Sequence, residues 1–429
     1  MKFPRHKLYI DFKTLIISFI TILFTKEKIS KNYFKLQDSF RKYFNIKNIY
    51  FLSTWRLGFY FVLKSFNLQK DSEVIITGIG IPDKINSILL AGLKPIFVEL
   101  DLDTHNIDID DLKKKINNKT KVIHVTYLSG IIPDMKKIKE ICDLNNLILI
   151  EDISQAYGAH YENQLCGTFG NASIGSFSLG KTISSTGGGV VIIKDQKIVE
   201  NFEKQFDNKL TLPNKLFLLK LNFNQILIKI LTSKYIFSFF TYYAFLIVKK
   251  ISNETFNDPE MKNKFFSNLN KGNYYKNVPM IRDNYPQNLM KKMSDNQCKI
   301  IQKCFDNLSN VNKKNQKIAK LYLETLDKKF LKNIPKSSFN YLQNTYWHFP
   351  VYINFNYDLF KDYLFKNGVD SVSYGLPLLS NINVFNSYKK KLPNSEKVKF
   401  NTIFFPLHSD FSIKKIRKLI DQINNYKNE

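Results

Sequence analysis

From residue 74 the chain alternates short apolar runs with amphipathic ones. Val74–Thr77, Ile96–Glu99, Lys121–Thr126 and Leu147–Glu151 are compact apolar segments, and each reads as a strand. Between them, Ile81–Ala91, Ile109–Ile116 and Asp134–Asn145 carry apolar residues at helical spacing. Strands that are apolar without alternation are covered on both faces, and their regular exchange with helices predicts a mostly parallel sheet in an α/β domain. Ser173–Leu179 and Gly188–Ile193 read as two further strands, after which the beat stops. A long helical run from Met293 to Leu326, a strand at His348–Asn354 and a helix from Ser412 predict a smaller α+β unit. The expected organisation is an N-terminal apolar and basic segment (1–30), a large α/β domain (31–200), a Lys- and Phe-rich insert (201–285) and a small C-terminal domain (286–429).

Two apolar stretches stand outside this beat. Leu15–Phe24 is ten residues long, about half of a bilayer span, and Lys26 follows it without a small-residue cleavage site. Leu216–Val248 is interrupted by Lys220, Lys229 and Lys234 and closed by Lys249 and Lys250. Aromatics interleaved with lysines suit helices lying in a membrane interface, the lysine tips reaching the headgroups. Helices packed on each other or on a dimer partner have the same pattern.

Charge sharpens the question of partners. Lys and Arg number 64 against 37 Asp and Glu, a net charge of +27. That balance attracts polyanions, but the arginines are confined to Arg5, Arg41, Arg56, Arg282 and Arg417. Base readout leans on the bidentate Arg fork, so no nucleic-acid partner is expected. Cys142, Cys166, Cys298 and Cys304 form no CxxC pair, so neither a metal site nor a disulfide framework is predicted. The expected compartment is the cytoplasm, with peripheral contact on the inner face of the membrane if the insert lies on lipid.

Candidate chemistry sits where the strands end. Gly78-Ile79-Gly80 looks like the start of a dinucleotide fingerprint, but Asp83 holds its third glycine position and Pro82 simply opens a helix. Glu151-Asp152 at the end of Leu147–Glu151 is better placed, because ligands of parallel sheets bind beyond the carboxyl ends of strands. An N-cap would also explain Asp152. Lys181 follows an apolar strand in a loop rich in serine and glycine, Ser176-Phe177-Ser178-Leu179-Gly180-Lys181, with Gly187-Gly188-Gly189 behind it. An amine against an apolar wall loses hydration and proton affinity, as a Schiff-base lysine requires.

Taken together, Asp152 with Gln155, Ser176-Phe177 with Lys181, and the trailing glycines resemble the DegT/DnrJ/EryC1/StrS family of pyridoxal-phosphate sugar aminotransferases. Leu57–Leu63 with Glu73–Ile76, Ala91-Gly92 through Pro95-Ile96-Phe97-Val98 to Thr104, and Phe405-Pro406-Leu407-His408 resemble further blocks of that family in the same order. The resemblance implies an aspartate-aminotransferase fold, a homodimer and a pyridoxal 5'-phosphate cofactor. It implies that Lys181 is the catalytic, Schiff-base lysine and that Asp152 faces the pyridine nitrogen. Gln155 would lie by the ring hydroxyl and Ile81 against the ring. Ser176 would hold the phosphate with the backbone N–H groups of Arg56 and Leu57, and the Arg56 side chain would add charge. The implied reaction moves an amino group, from a donor such as glutamate, to a nucleotide- or lipid-linked keto sugar in surface polysaccharide (lipopolysaccharide) biosynthesis. Dehydratases of the family carry His at the lysine position, which Lys181 disfavours; a membrane-associated scaffold is the other alternative. The chain departs from the family at Trp55 (glycine), Ile81 (a stacking aromatic), Tyr127 (His) and Met290 (a partner-subunit Asn).

Overall fold

The computed structural model describes residues 2–4, 8–26, 28–251, 280–407 and 411–427. In chain order the helices α1 (Phe12–Phe24) and α2 (Lys31–Phe44) precede strand β1 (Asn48–Leu52) and helix α3 (Trp55–Ser65). The predicted beat follows as β2 (Glu73–Thr77), α4 (Asp83–Leu90), β3 (Lys94–Val98), α5 (Ile109–Lys115), β4 (Thr120–Thr126), α6 (Met135–Leu144) and β5 (Ile148–Asp152). A small hairpin, β6 (His160–Tyr161) and β7 (Gln164–Leu165), leads to β8 (Ala172–Ser176) and β9 (Gly189–Ile193).

The seven-stranded sheet has the order β1-β9-β8-β5-β4-β2-β3. Neighbours from β3 to β8 are parallel, while β9 is antiparallel to both β8 and β1. The expected mostly parallel α/β domain is therefore present, with β1 as an edge strand that the apolar pattern had not signalled. Local chemistry sets the helix starts. Pro82 holds the residue before it extended, so α4 begins at Asp83 and not at Ile81. Asp134 caps α6 through the Lys137 N–H at 3.1 Å.

The long run expected from Met293 is two helices, Asp295–Asp306 and Leu308–Thr325, parted at Asn307. Ser294 and Gln297 close a capping box at the first of them. The C-terminal part adds a two-stranded antiparallel sheet, β10 (Phe349–Tyr352) with β11 (Thr402–Phe405), and a helix, Ile413–Asn424, that buries Ile416, Leu419, Ile420 and Ile423. His408 of the Phe405–His408 block lies outside the described residues.

The stretch expected to open the insert is partly core. Helix α7 (Val199–Lys209) lays Phe202 and Phe206 on Tyr50, with ring centroids at 4.8 and 5.4 Å. Helix α8 (Lys215–Leu231) then runs along α1: Asn222 Nδ2 donates to Ser18 Oγ at 2.6 Å, and Asn296 Nδ2 donates to the same hydroxyl at 3.1 Å. Lys229 Nζ donates to the Leu8 carbonyl at 2.7 Å. After α8 the chain bends by 55° into α9 (Lys234–Ile236), a π-turn (Phe237–Thr241) and α10 (Tyr242–Ile251). Among the described residues no single helix is long and apolar enough to cross a membrane, although this bent pair passes by length and composition.

Glu151 ties the sheet to the loop that follows the β6–β7 hairpin. It is buried, accepts from the Tyr127 hydroxyl, and accepts from the N–H groups of Gly167 (2.6 Å) and Gly170 (2.7 Å). Burial pushes its carboxyl above the ordinary range. Removing it strands three buried donors, so Glu151→Ala is expected to cost about 3 kcal/mol in urea unfolding. A loss below about 1 kcal/mol would contradict this role.

Candidate active site

Strands β2, β4, β5 and β8 end along one edge of the sheet, and the polar residues gather there. Successive residues of a strand face opposite sides, so Glu151 enters the core beneath α6 while Asp152 turns to the other face. Asp152 is buried and stands beside Thr126 in the β4–β5 ladder. Its carboxylate accepts the Ser154 N–H at 3.0 Å. Gln155 is buried next to it, and its amide oxygen accepts the Ser129 N–H at 2.7 Å. Ser129 adopts φ 61°, and that turn aims its N–H at Gln155.

Lys181 comes from the loop between β8 and β9, which turns at Gly180 with φ +80°. Its ammonium lies 3.8 Å from the centroid of the Trp347 ring, and the Trp347 indole N–H donates to the Gly180 carbonyl at 2.8 Å. The segment before β10 thus clamps the loop from above. Loss of hydration lowers the Lys181 amine to about 8, against the negative charge of Asp152, which acts to raise it. Lys181 and Asp152 are thus near enough for the charge of the carboxylate to act on the amine.

The other expected residues lie around this edge, several of them with partners of their own. Ser176 lies on the same edge, half-buried, with its hydroxyl 3.0 Å from Ser178 Oγ. The Leu57 N–H, expected in a phosphate cradle, is taken by the Thr54 hydroxyl at 3.2 Å as the cap of α3. The Arg56 side chain is also drawn off: its Nε pairs with Asp83 at 3.0 Å, and Arg282 Nε grips the other oxygen of that carboxylate at 3.0 Å. Two cations answering one acid hold the starts of α3 and α4 together, which is a structural use of Arg56. Ile81 is half-buried in the turn before α4 and packs with the core cluster of β2 and α3.

The departures from the family pattern also have structural uses. Trp55 is buried against Phe59 and His124, with ring centroids at 5.0 and 5.8 Å. The backbone there approaches β9 so closely that a Cβ at Gly189 would meet the Trp55 nitrogen at 2.7 Å, hence glycine at that position. Tyr127 faces Glu151, away from Asp152, and Met290 is buried in this chain's own core.

Three residues of the site were not legible beforehand. Lys84, on the first turn of α4, is buried with its ammonium on the Thr126 hydroxyl at 3.0 Å. Ser154 is buried with a hydroxyl that has no partner among the described residues. Trp347 was visible only as one of two tryptophans. A lysine within the helix expected over residues 81–91 was the one available sign for Lys84, and a Lys-rich composition masked it.

The balance at Lys181 predicts a pH dependence. Its labelling by acetic anhydride, followed by peptide mass spectrometry, should be half-maximal near pH 8, the value set by burial against Asp152. Asp152→Asn removes the charge that raises the amine, so the midpoint should move to lower pH. An unchanged or higher midpoint would show that Asp152 does not act on Lys181.

Comparison with known proteins gives this arrangement a context. The model of the DegT/DnrJ/EryC1/StrS aminotransferase family matches residues 30–209 and 232–424. GDP-perosamine synthase of Escherichia coli O157:H7 is 32% identical over 166 residues, which are 39% of this chain and 46% of that protein. The lipopolysaccharide biosynthesis protein RfbH of Salmonella typhimurium is 36% identical over 138 residues, 32% of each chain. The chain thus spans between a third and about half the length of these curated relatives. Among solved structures, the Helicobacter pylori aminotransferase PseC superposes with a TM-score of 0.72 at 16% identity, covering 99% of this chain and 98% of that one. An aminotransferase from Psychrobacter cryohalolentis gives 0.73 at 17% identity, covering 98% of each. These two likenesses establish the fold, and the family model over most of the chain establishes its kinship: this protein belongs to the DegT/DnrJ/EryC1/StrS aminotransferase family.

Proposed function

We propose that this chain is a pyridoxal-phosphate-dependent transaminase that moves an amino group, from glutamate or a similar donor, to a keto sugar linked to a nucleotide or a lipid. The product would enter surface polysaccharide synthesis, and the enzyme would work as a homodimer. The observation that carries the proposal is the pairing of a buried carboxylate at the end of β5 with a desolvated lysine on the loop after β8. Family membership, with a GDP-perosamine synthase and a lipopolysaccharide biosynthesis protein among the relatives, supports the sugar class of substrate.

The residues present fit the cofactor. The Lys181 amine is partly neutral near physiological pH, as attack on an aldehyde requires. The buried, unpartnered Ser154 hydroxyl lies two residues from Asp152 and awaits an acceptor or donor. Ser176 lies on the same edge for the phosphate. Bound there, pyridoxal phosphate would supply an electron sink for bond breaking at the amino-bearing carbon. Asp152 would hold a proton at the ring nitrogen, a demand that a neutral side chain does not meet. Gln155, fixed by Ser129, would orient the ring through its amide. Lys181 Nζ would take the proton from one carbon and return it to another as general base and acid.

A second, compatible reading concerns the helical layer. Phe24, Phe239 and Phe240 are 83%, 65% and 71% exposed, and residues 215–250 carry six lysines and no acid. An apolar face rimmed only by cations matches an anionic lipid surface, where it would hold the enzyme beside a lipid-linked sugar.

Two measurements test these readings. Pyridoxal phosphate added to the purified protein should give the visible absorbance of a lysine-bound carbonyl cofactor, and Lys181→Ala should abolish it; glutamate should then shift the wild-type spectrum. A colourless wild type would sink the transaminase. Sedimentation with phosphatidylserine-containing vesicles should retain the wild type and release the Phe239→Ser, Phe240→Ser double variant. Equal sedimentation of the two, or a monomer–dimer shift in the variant instead, would assign that face to protein contact.

A further inference from the structure

Lys84 has no part in the chemistry above, yet it lies in the same site. It is 2% exposed, and its ammonium donates to Thr126 Oγ1 at 3.0 Å. Thr126 and Asp152 are direct partners on adjacent parallel strands, so their side chains rise on the same face about 5 Å apart. An ammonium has three donors, and among the described residues Thr126 receives one of them. No side chain intervenes at Gly80, where an added Cβ would come within 3.4 Å of Lys84 Nζ.

The charged and titratable groups facing Lys84 are few. From β5 comes Asp152, whose charge acts to raise the amine, although burial outweighs it and leaves the amine at about 8. From β4 comes His124, held neutral by burial and by the Lys84 charge itself. From α3 comes the Trp55 ring, 6.0 Å away, while Arg56 is engaged by Asp83. Among the described residues, Asp152 is the one carboxylate whose charge acts on the two buried amines, Lys84 and Lys181.

We infer that Lys84 is a resident counter-cation of Asp152, a positioning residue that competes with the protonated ring nitrogen of the cofactor for that carboxylate and couples cofactor binding to release of a proton from Lys84 to solvent. The inference rests on the transaminase reading, in which a pyridine ring faces Asp152. Two positive charges beside one buried carboxylate repel each other at low local dielectric. The ammonium can relieve this by losing its N–H proton, whereas the carboxylate remains to hold the ring.

The two tryptophans of the chain, Trp55 and Trp347, lie beside Lys84 and Lys181 respectively, so intrinsic fluorescence reports on this site. The probe is 4'-deoxypyridoxine 5'-phosphate, which keeps the ring and phosphate but has a methyl group in place of the aldehyde, so Lys181 does not react. The full-length chain is titrated at pH 7 and pH 9. With an amine at about 8, Lys84→Met should bind about tenfold more tightly than wild type at pH 7, and the advantage should close by pH 9. Lys84→Arg, which keeps its charge at both pH values, should bind weakly at both. Should Lys84→Met fail to fold, Thr126→Val, which removes the ammonium's acceptor, should show a smaller gain confined to pH 7. Equal affinity of wild type and the methionine variant at pH 7, or the same ratio at both pH values, overturns the inference. If pyridoxal phosphate colours the wild type and Lys84→Met binds no better, only the counter-cation role falls. If the wild type binds neither compound, the transaminase reading falls and this inference with it.

Discussion

A carboxylate buried at the end of a strand has to be matched by hydrogen-bond donors or by positive charge, and the edge of this sheet is arranged around that demand. Asp152 is set by the β4–β5 ladder and cannot leave the sheet edge without breaking it. Nearby cations offset its desolvation, and the chain provides them from two directions. Lys84 rises from α4 and Lys181 descends from the loop after β8. Both amines are depressed by burial to about 8, so this edge of the sheet carries two groups that can exchange protons in mildly alkaline solution.

The neighbouring acids show how position on a strand decides between structure and chemistry. Glu151 and Asp152 are adjacent in sequence, and both side chains would be ionised at neutral pH in isolation. The pleat turns Glu151 into a closed set of donors from Tyr127, Gly167 and Gly170, and turns Asp152 toward groups with charge to spare. Asp83 makes the same point from a helix start. Gripped by Arg56 and Arg282, it joins α3, α4 and the segment around residue 282 into one unit. Arg56, expected beside the phosphate, takes part in this clasp, and the capped Leu57 N–H belongs to the same helix end.

The helical layer formed by α1, α8 and Asp295–Asp306 is held by buried polar contacts centred on Ser18 and by lysines that donate to main-chain carbonyls. Such contacts are directional, and they fix the register of helices whose apolar faces alone would slide. The exposed aromatics lie on the far side of these helices and on α9–α10 beyond the bend, so the layer has an inner face with specific partners and an outer face whose composition is amphipathic in the plane.

Residue order by itself determined the parallel strands and the helices between them, and it singled out Asp152 and Lys181 as candidates for chemistry. The strands and helices follow from apolar runs, a local property, while the two candidate residues stood out through the family resemblance of the motifs around them. Sequence suggested a phosphate contact for Arg56 and did not show its pairing with Asp83, which Arg282, far away in the chain, shares. It gave Lys84 no prominence among so many lysines, since only the strand ladder that sets Thr126 beside Asp152 turns that side chain into part of a site. Tertiary structure decided these matters because burial and charge pairing are properties of neighbours in space, and a neighbour's identity is fixed only when the sheet and its covering helices have closed around it.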